Sequence, residues 1–160
     1  YGAARDDLFR GASVIVTPHE KNAADTVERV SALWAVLGAS VVSAAPAEHD
    51  RMVAATSHLP HLLSSVLASA VAAEAKTALS FSGKGLSDMT RLAGGSPAVW
   101  TEITRMNAGN IVRVLEHYRA LLDELQSALK KADEAAIGAF LEKGAAAKKE
   151  IYGEEDRSRC

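Results

Sequence analysis

Three short segments contain side chains whose types and spacing suit chemistry on a charged ligand. They are His49-Asp50, the run Ser57-His58-Leu59-Pro60-His61, and the run Gly83-Lys84-Gly85-Leu86-Ser87-Asp88-Met89-Thr90-Arg91, which Trp100 follows. Imidazoles titrate near neutral pH, and the planar guanidinium of an arginine can bind a carboxylate through two hydrogen bonds. We therefore expect any chemistry of this chain to lie between Ser57 and Trp100.

Composition bounds the class of protein. The 160 residues are 48% hydrophobic and 24% charged, with a net charge of −2 and abundant alanine, which favours a globular, helix-rich protein. No basic cluster alternates with aromatic residues, so we expect no nucleic-acid binding. The most apolar run, 59–75, is shorter than the ~20 residues of a membrane span, and the one cysteine, Cys160, favours a reducing compartment. We predict a cytoplasmic protein that binds no membrane.

Residues 1–46 are predicted to be the end of a larger α/β domain. Two short β-like runs, 12–16 and 39–44, flank a helical pattern at 22–37, and Gly38 suits the position just past that helix. Parallel strands normally lie within a sheet of several strands, which suggests that the first strands of this domain are absent. The chain contains no Gly-x-Gly-x-x-Gly, so it cannot hold a dinucleotide pyrophosphate by that device.

Residues 47–160 are predicted to be a second, all-α domain. We expect a helix at 47–56, a break or kink at 57–59 caused by Pro60, a helix at 61–79, a loop at 80–88, and a short helical turn at 89–93. Ser96-Pro97 should open one long helix to residue 131, and a last helix should span 134–152. The apolar set of the long helix is wider than one stripe, so we expect a second copy of the chain to cover it as a homodimer.

In their order and spacing, the segments at 49–50, 57–61 and 83–100 resemble the prephenate/arogenate dehydrogenase family of tyrosine biosynthesis. The resemblance begins at Gly2-Ala3-Ala4-Arg5-Asp6-Asp7-Leu8-Phe9-Arg10-Gly11 and fades after about Leu129. It implies a mainly α fold, in which a helical dimerisation and substrate domain is preceded by a β-α-β remnant of a Rossmann-type α/β domain. It also implies oxidative decarboxylation of prephenate or arogenate with NAD or NADP, bound mainly by the preceding domain.

The same resemblance assigns roles to residues. Arg91 is implied to bind a substrate carboxylate, and His61 to contact the substrate. Further candidates for the substrate site are His58, Gly83, Gly85 and Trp100, and candidates for gating or orienting groups are His49 and Asp88. Each of these keeps a plainer alternative: a buried structural histidine for His58, a helix-start residue paired with Asp50 for His49, an ion pair closing a loop for Asp88, a core residue for Trp100, and a tight loop for Gly83 and Gly85. Arg91 itself could instead pair with Asp88.

Two features depart from the family pattern. Lys84 interrupts the glycine cluster, and Leu86 and Ser87 stand where an aromatic and a basic residue are usual, which leaves prephenate and arogenate both open as substrates. The family's catalytic histidine lies in a His-Pro segment upstream of Tyr1. We therefore name no catalytic base in this chain and expect the 160 residues to be inactive on their own.

Two other functions remain open at this stage. His49, Asp50, His58 and His61 could ligate a metal in a metal-dependent hydrolase, although Pro60 disturbs the face that His58 and His61 would share. Alternatively, the helices could form a non-catalytic dimerisation module, which an Arg91 lying on open surface would favour.

Overall fold

The computed structural model describes residues 7–74 and 81–153. These residues belong to two compact units, one formed within residues 1–112 and the other within residues 113–160. Each unit is described by itself. The chain is mainly α-helical with one small parallel sheet, and the predicted fold class is confirmed.

The first unit opens with a β-α-β arrangement. Strand β1 (Ser13–Val16) pairs in parallel with β2 (Ser40–Ser43), and helix α1 (Ala24–Val36) connects them. Gly38 follows α1 with φ of +84°, where a side chain would be strained. Ile15 and Val42 remain 44% and 52% exposed, so this small sheet leaves apolar side chains uncovered.

A continuous helical path, with no break, leads into the helical part of the first unit. Helix α2 (Pro46–Val53) passes through a π-helical turn (Ala54–His58) into α3 (Leu59–Glu74). The regular helix is disturbed next to Pro60, as predicted, but by a wider turn and not by a break: Leu59 N–H donates to the carbonyl of Ala54, five residues back. The predicted continuation of α3 to Leu79 lies partly outside the described residues.

Two predictions for residues 80–131 need correction. Most of the predicted loop is helix α4 (Lys84–Thr90), which begins after Gly83 and continues into a 3₁₀ turn (Arg91–Gly94). The predicted long helix is divided into α5 (Pro97–Met106) and α6 (Ala108–Lys130) at Asn107, whose φ of −115° and ψ of 23° depart from helical values. Ser96 and Pro97 do open α5, although the Ser96 side chain makes no capping hydrogen bond.

The second unit is a helical hairpin made of the greater part of α6 and of α7 (Glu134–Tyr152), whose bounds are those predicted. Asp133 caps α7, since its Oδ1 accepts a hydrogen bond of 3.0 Å from Ala136 N–H. Leu115, Leu122 and Leu129 recur every seven residues along α6 and are 42%, 45% and 58% exposed. They form one uncovered apolar stripe.

Among the described residues, no helix combines the length and the apolar character that a bilayer crossing requires.

Candidate functional site

The most closely packed aromatic pair in the first unit joins α3 to α5. The imidazole of His61 stacks on the indole of Trp100 with ring centroids 3.5 Å apart and an angle of 13° between the planes. His61 lies in the first turn of α3 and is only 6% exposed. The structure therefore brings together two of the residues that the sequence predicted for the site.

Gly95 permits this stack. A Cβ atom at Gly95 would lie 2.6 Å from His61 Cε1 and 2.8 Å from Trp100 Nε1, closer than packed atoms approach. The 3₁₀ turn that leads to Gly95 is tied to α3, because the buried hydroxyl of Ser64 accepts a hydrogen bond of 3.0 Å from Ala93 N–H. The backbone of the 3₁₀ turn thus reaches the edges of both rings.

A cavity of about 470 Å³ opens beside the stack. Its polar and aromatic lining comes from α3 and α5: His61, Ser65, Trp100, Thr101, Thr104 and Arg105. Arg105 is the cation of this lining, and its guanidinium forms an exposed ion pair of 3.0 Å with Glu102. An imidazole, hydroxyls and a guanidinium around an apolar wall suit a ligand that has a ring and a negative charge.

Asn107 connects the π-helical turn to the junction of α5 and α6. Its side chain is buried, and Nδ2 lies 2.7 Å from the carbonyl oxygen of Asp50 and 3.2 Å from His58 Nδ1. Its Oδ1 accepts a hydrogen bond of 2.8 Å from Asn110 Nδ2. These bonds explain the interruption of the predicted long helix, because a buried amide must keep its partners.

His58 lies between Asn107 and Trp100, with its ring edge-to-face on the indole at 6.2 Å. Burial lowers the pKa of the His58 imidazole below its ordinary value of 6.5, the Asp50 carboxylate opposes this by raising the pKa, and His49 lowers it further. His58 is therefore favoured in the neutral form. It does not belong to the lining of the cavity described above.

The metal hypothesis finds no cluster to support it. His49 pairs with Asp50 at 3.0 Å on the surface, His58 faces Asn107, and His61 lies on Trp100. Within residues 7–74 and 81–153, no three His, Cys, Asp or Glu side chains come close enough to share an ion. His49 and Asp50 pair with each other and lie near enough to His58 to shift its pKa, but these side chains do not form a cluster that could hold an ion.

Arg91 is not among the residues that line this cavity. It begins the 3₁₀ turn, its side chain is exposed, and it forms no hydrogen bond or ion pair with the described residues. The alternative pairing of Arg91 with Asp88 is absent from that part of the chain; Asp88 pairs instead with Lys84 at 2.7 Å within α4. Arg105, and not Arg91, therefore lines the cavity together with His61.

Gly83 and Gly85 face open space. Gly83 precedes the first residue of α4 and Gly85 lies within its first turn, and a Cβ atom on either would meet nothing within 4 Å. Neither glycine is required here by close packing.

Sequence reasoning missed Gly95, Arg105 and Asn107. The pair Gly94-Gly95 next to Ser96-Pro97 reads as an ordinary helix start, and Arg105 and Asn107 fit the helical pattern around them. One signal was available: Asn107 and Asn110 are polar residues at a spacing of three within an otherwise amphipathic helix.

These features define a helical region with a cavity beside a stacked histidine and tryptophan, which follows a parallel β-α-β unit, and comparison with known proteins gives its family. The family model "Prephenate dehydrogenase, dimerization domain" matches residues 45–143, more than half of the chain. Cyclohexadienyl dehydrogenase of Zymomonas mobilis is 30% identical over 131 residues, which cover 79% of this chain and 45% of that protein. The chain belongs to the prephenate dehydrogenase family.

Solved structures agree in fold. Prephenate dehydrogenase from A. aeolicus, in complex with hydroxyphenyl propionate and NAD+, has a TM-score of 0.83 at 26% identity over 94% of this chain and 54% of that chain. Synechocystis arogenate dehydrogenase has a TM-score of 0.79 at 26% identity over 91% of this chain and 54% of that chain. The chain thus spans about half the length of these relatives.

Proposed function

We propose that this chain is part of an NAD(P)-dependent prephenate or arogenate dehydrogenase in tyrosine biosynthesis, to which it contributes a substrate-binding wall and a dimer surface. The observation that carries the proposal is the His61–Trp100 stack beside a cavity of about 470 Å³. The family of the chain and the hydroxyphenyl propionate in the A. aeolicus relative support a ligand that combines a ring with a carboxylate.

In this proposal the imidazole of His61 donates a hydrogen bond to the ligand, while the flat stack keeps the ring at one orientation. Arg91 supplies the charge that binds a carboxylate, as the resemblance implies. Its guanidinium has no partner among the described residues and is available for this role. Arg105 is the competing cation, because it already lines the cavity, although Glu102 neutralises part of its charge.

The described residues do not fit the dinucleotide. The β-α-β unit carries no glycine-rich turn after β1, and Asp25 in the first turn of α1 would repel a pyrophosphate at that helix end. We therefore assign NAD or NADP to a nucleotide-binding domain outside these residues, and we assign no hydride-transfer step or catalytic base to this chain. The uncovered Ile15 and Val42 of the small sheet support its place in such a domain, with the boundary near residue 46.

The dimer surface is proposed to include the stripe of Leu115, Leu122 and Leu129 on α6. Side chains of this size contribute stability when removed from water, and a second copy of the same helix would cover them. The description of the matching family model as a dimerisation domain supports this assignment.

A second candidate function is a helical dimerisation module without a substrate site. The exposed side chain of Arg91 favours it, since the sequence-based hypothesis required that guanidinium to line a pocket. The two candidates differ in whether the cavity beside His61 binds an aromatic carboxylate.

Nuclear magnetic resonance can separate these candidates. Titration of ¹⁵N-labelled chain with hydroxyphenyl propionate should shift the indole N–H resonance of Trp100 saturably, while that of Trp34, which packs on Phe9, should stay in place. Ethylphenol, which has the ring but no carboxylate, is the matched control ligand and should bind more weakly. Equal, unsaturable shifts at both indoles would favour the dimerisation module.

A further inference from the structure

The side-chain amide of Asn107 has one orientation that its surroundings allow. Nδ2 lies 2.7 Å from the carbonyl oxygen of Asp50, an atom that can only accept a hydrogen bond. The reversed amide would place Oδ1 against that oxygen, two acceptors at hydrogen-bond distance. The observed orientation also gives Oδ1 a donor, Asn110 Nδ2 at 2.8 Å.

This orientation decides the protonation of His58. The same Nδ2 atom that bonds Asp50 lies 3.2 Å from His58 Nδ1, so its second hydrogen points at the ring. A hydrogen bond forms there only if Nδ1 carries a lone pair, which in a neutral imidazole places the proton on Nε2. In a charged imidazole Nδ1 would also carry a proton, so two donors, His58 Nδ1–H and Asn107 Nδ2–H, would face each other.

We infer that Asn107 is a positioning residue, which fixes His58, whose ring packs edge-to-face with Trp100, as the neutral imidazole protonated on Nε2. Asn107 acts on the site only through His58. The tautomer of His58 does not rest on the proposed function.

The charges around His58 agree with this assignment. Burial lowers its pKa most strongly, and of the titratable neighbours Asp50 favours the charged imidazole while His49 opposes it. Trp100 on α5 and Asn107 at the junction of α5 and α6 also contact the imidazole of His58, and both are uncharged. The charged form thus has one supporting group, Asp50.

Two-bond ¹H–¹⁵N correlation spectra of the ligand-free, ¹⁵N-histidine-labelled chain test the inference, with His58→Gln to assign the signals. At pH 7 we expect His58 Nδ1 to resonate as an unprotonated nitrogen and Nε2 as a protonated one. A proton on Nδ1, or a charged ring at pH 7, would overturn the inference from the unmodified chain alone.

Variants test the part played by Asn107. Asn107→Ala should let His58 exchange between tautomers, and Asn107→Asp, which keeps the shape but replaces the donor by an acceptor, should draw the proton to Nδ1. Asn110→Ala is the matched control, because it removes a hydrogen bond of the same cluster without touching His58. Retention of the Nε2 tautomer in every folded Asn107 variant would overturn the role of Asn107. Since no ligand is present, these outcomes are independent of whether hydroxyphenyl propionate binds.

Discussion

The imidazole of His61 lies flat on the indole of Trp100, 3.5 Å between centroids, and Gly95 leaves no room for a side chain beside them. Aromatic pairs of this kind contribute about 0.5–1.5 kcal/mol beyond the burial of their surface. The stack is therefore a packed feature of the fold as well as one wall of the cavity, and changes at its edge should alter stability and binding together.

Gly95→Ala should destabilise the chain by about 1–3 kcal/mol, the usual cost of overpacking, because the new Cβ atom would meet both rings. Urea unfolding measures the effect. Gly94→Ala is the matched control: a Cβ atom there meets nothing within 4 Å, so its free energy of unfolding should stay within about 1 kcal/mol of wild type. Equal effects of the two substitutions would contradict the close packing at Gly95.

The free energy of unfolding should fall as the pH drops below 6.5, in part because of His58. Its pKa is lowered from 6.5 in the folded chain, chiefly by burial, so the unfolded chain binds more protons in this range. The contribution of His58 to the free energy of unfolding is fully present above pH 6.5. It is lost as the pH falls through the lower pKa that His58 has in the folded chain. Unfolding curves between pH 7.5 and 5 should be less steeply pH-dependent for His58→Gln; an identical slope would show that His58 is not the source.

Replacing both Leu122 and Leu129 by lysine should convert the proposed dimer into a monomer, because two charges would enter the apolar stripe of α6. Analytical ultracentrifugation at several concentrations gives the result. His117→Lys, roughly half a turn around α6 from Leu115, is the control and should leave the mass unchanged. If the doubly substituted chain is still a dimer, the interface does not include this stripe. If the wild-type chain is a monomer, the proposed dimer is wrong.

Arg91→Ala should weaken the binding of hydroxyphenyl propionate by about 1.5–3 kcal/mol, the range for hydrogen bonds to charged groups, which corresponds to roughly a tenfold loss or more. Isothermal titration calorimetry of Arg91→Ala and Arg105→Ala compares the two cations directly. If Arg91→Ala leaves the affinity unchanged and Arg105→Ala lowers it, the carboxylate is bound by Arg105, which lines the cavity, and not by Arg91.

Local patterns in the sequence predicted much of the fold. The helical patterns at 22–37 and 134–152 depend on neighbouring residues, and α1 and α7 lie where these patterns placed them. The family resemblance named His61 and Trp100 as candidates for the site, but it did not predict that their rings stack.

The remainder depends on contacts distant in sequence. Asn107 interrupts the predicted helix because its side chain bonds Asp50, 57 positions away, and His58, 49 positions away. Helical periodicity contains no information on such distant contacts. Pro60 was correctly recognised as incompatible with a regular helix, yet a π-helical turn accommodates it. Gly95 resembles any loop glycine until the rings it contacts are located, and the exposure of Arg91 follows from the path of the 3₁₀ turn.

A crystal structure of this chain with hydroxyphenyl propionate at saturating concentration would show whether the cavity binds an aromatic carboxylate. We expect the ligand to occupy the cavity beside Trp100, with its carboxylate within hydrogen-bond distance of a guanidinium and a polar atom near His61. An empty cavity at that concentration, or a ligand bound away from His61 and Trp100, would contradict it.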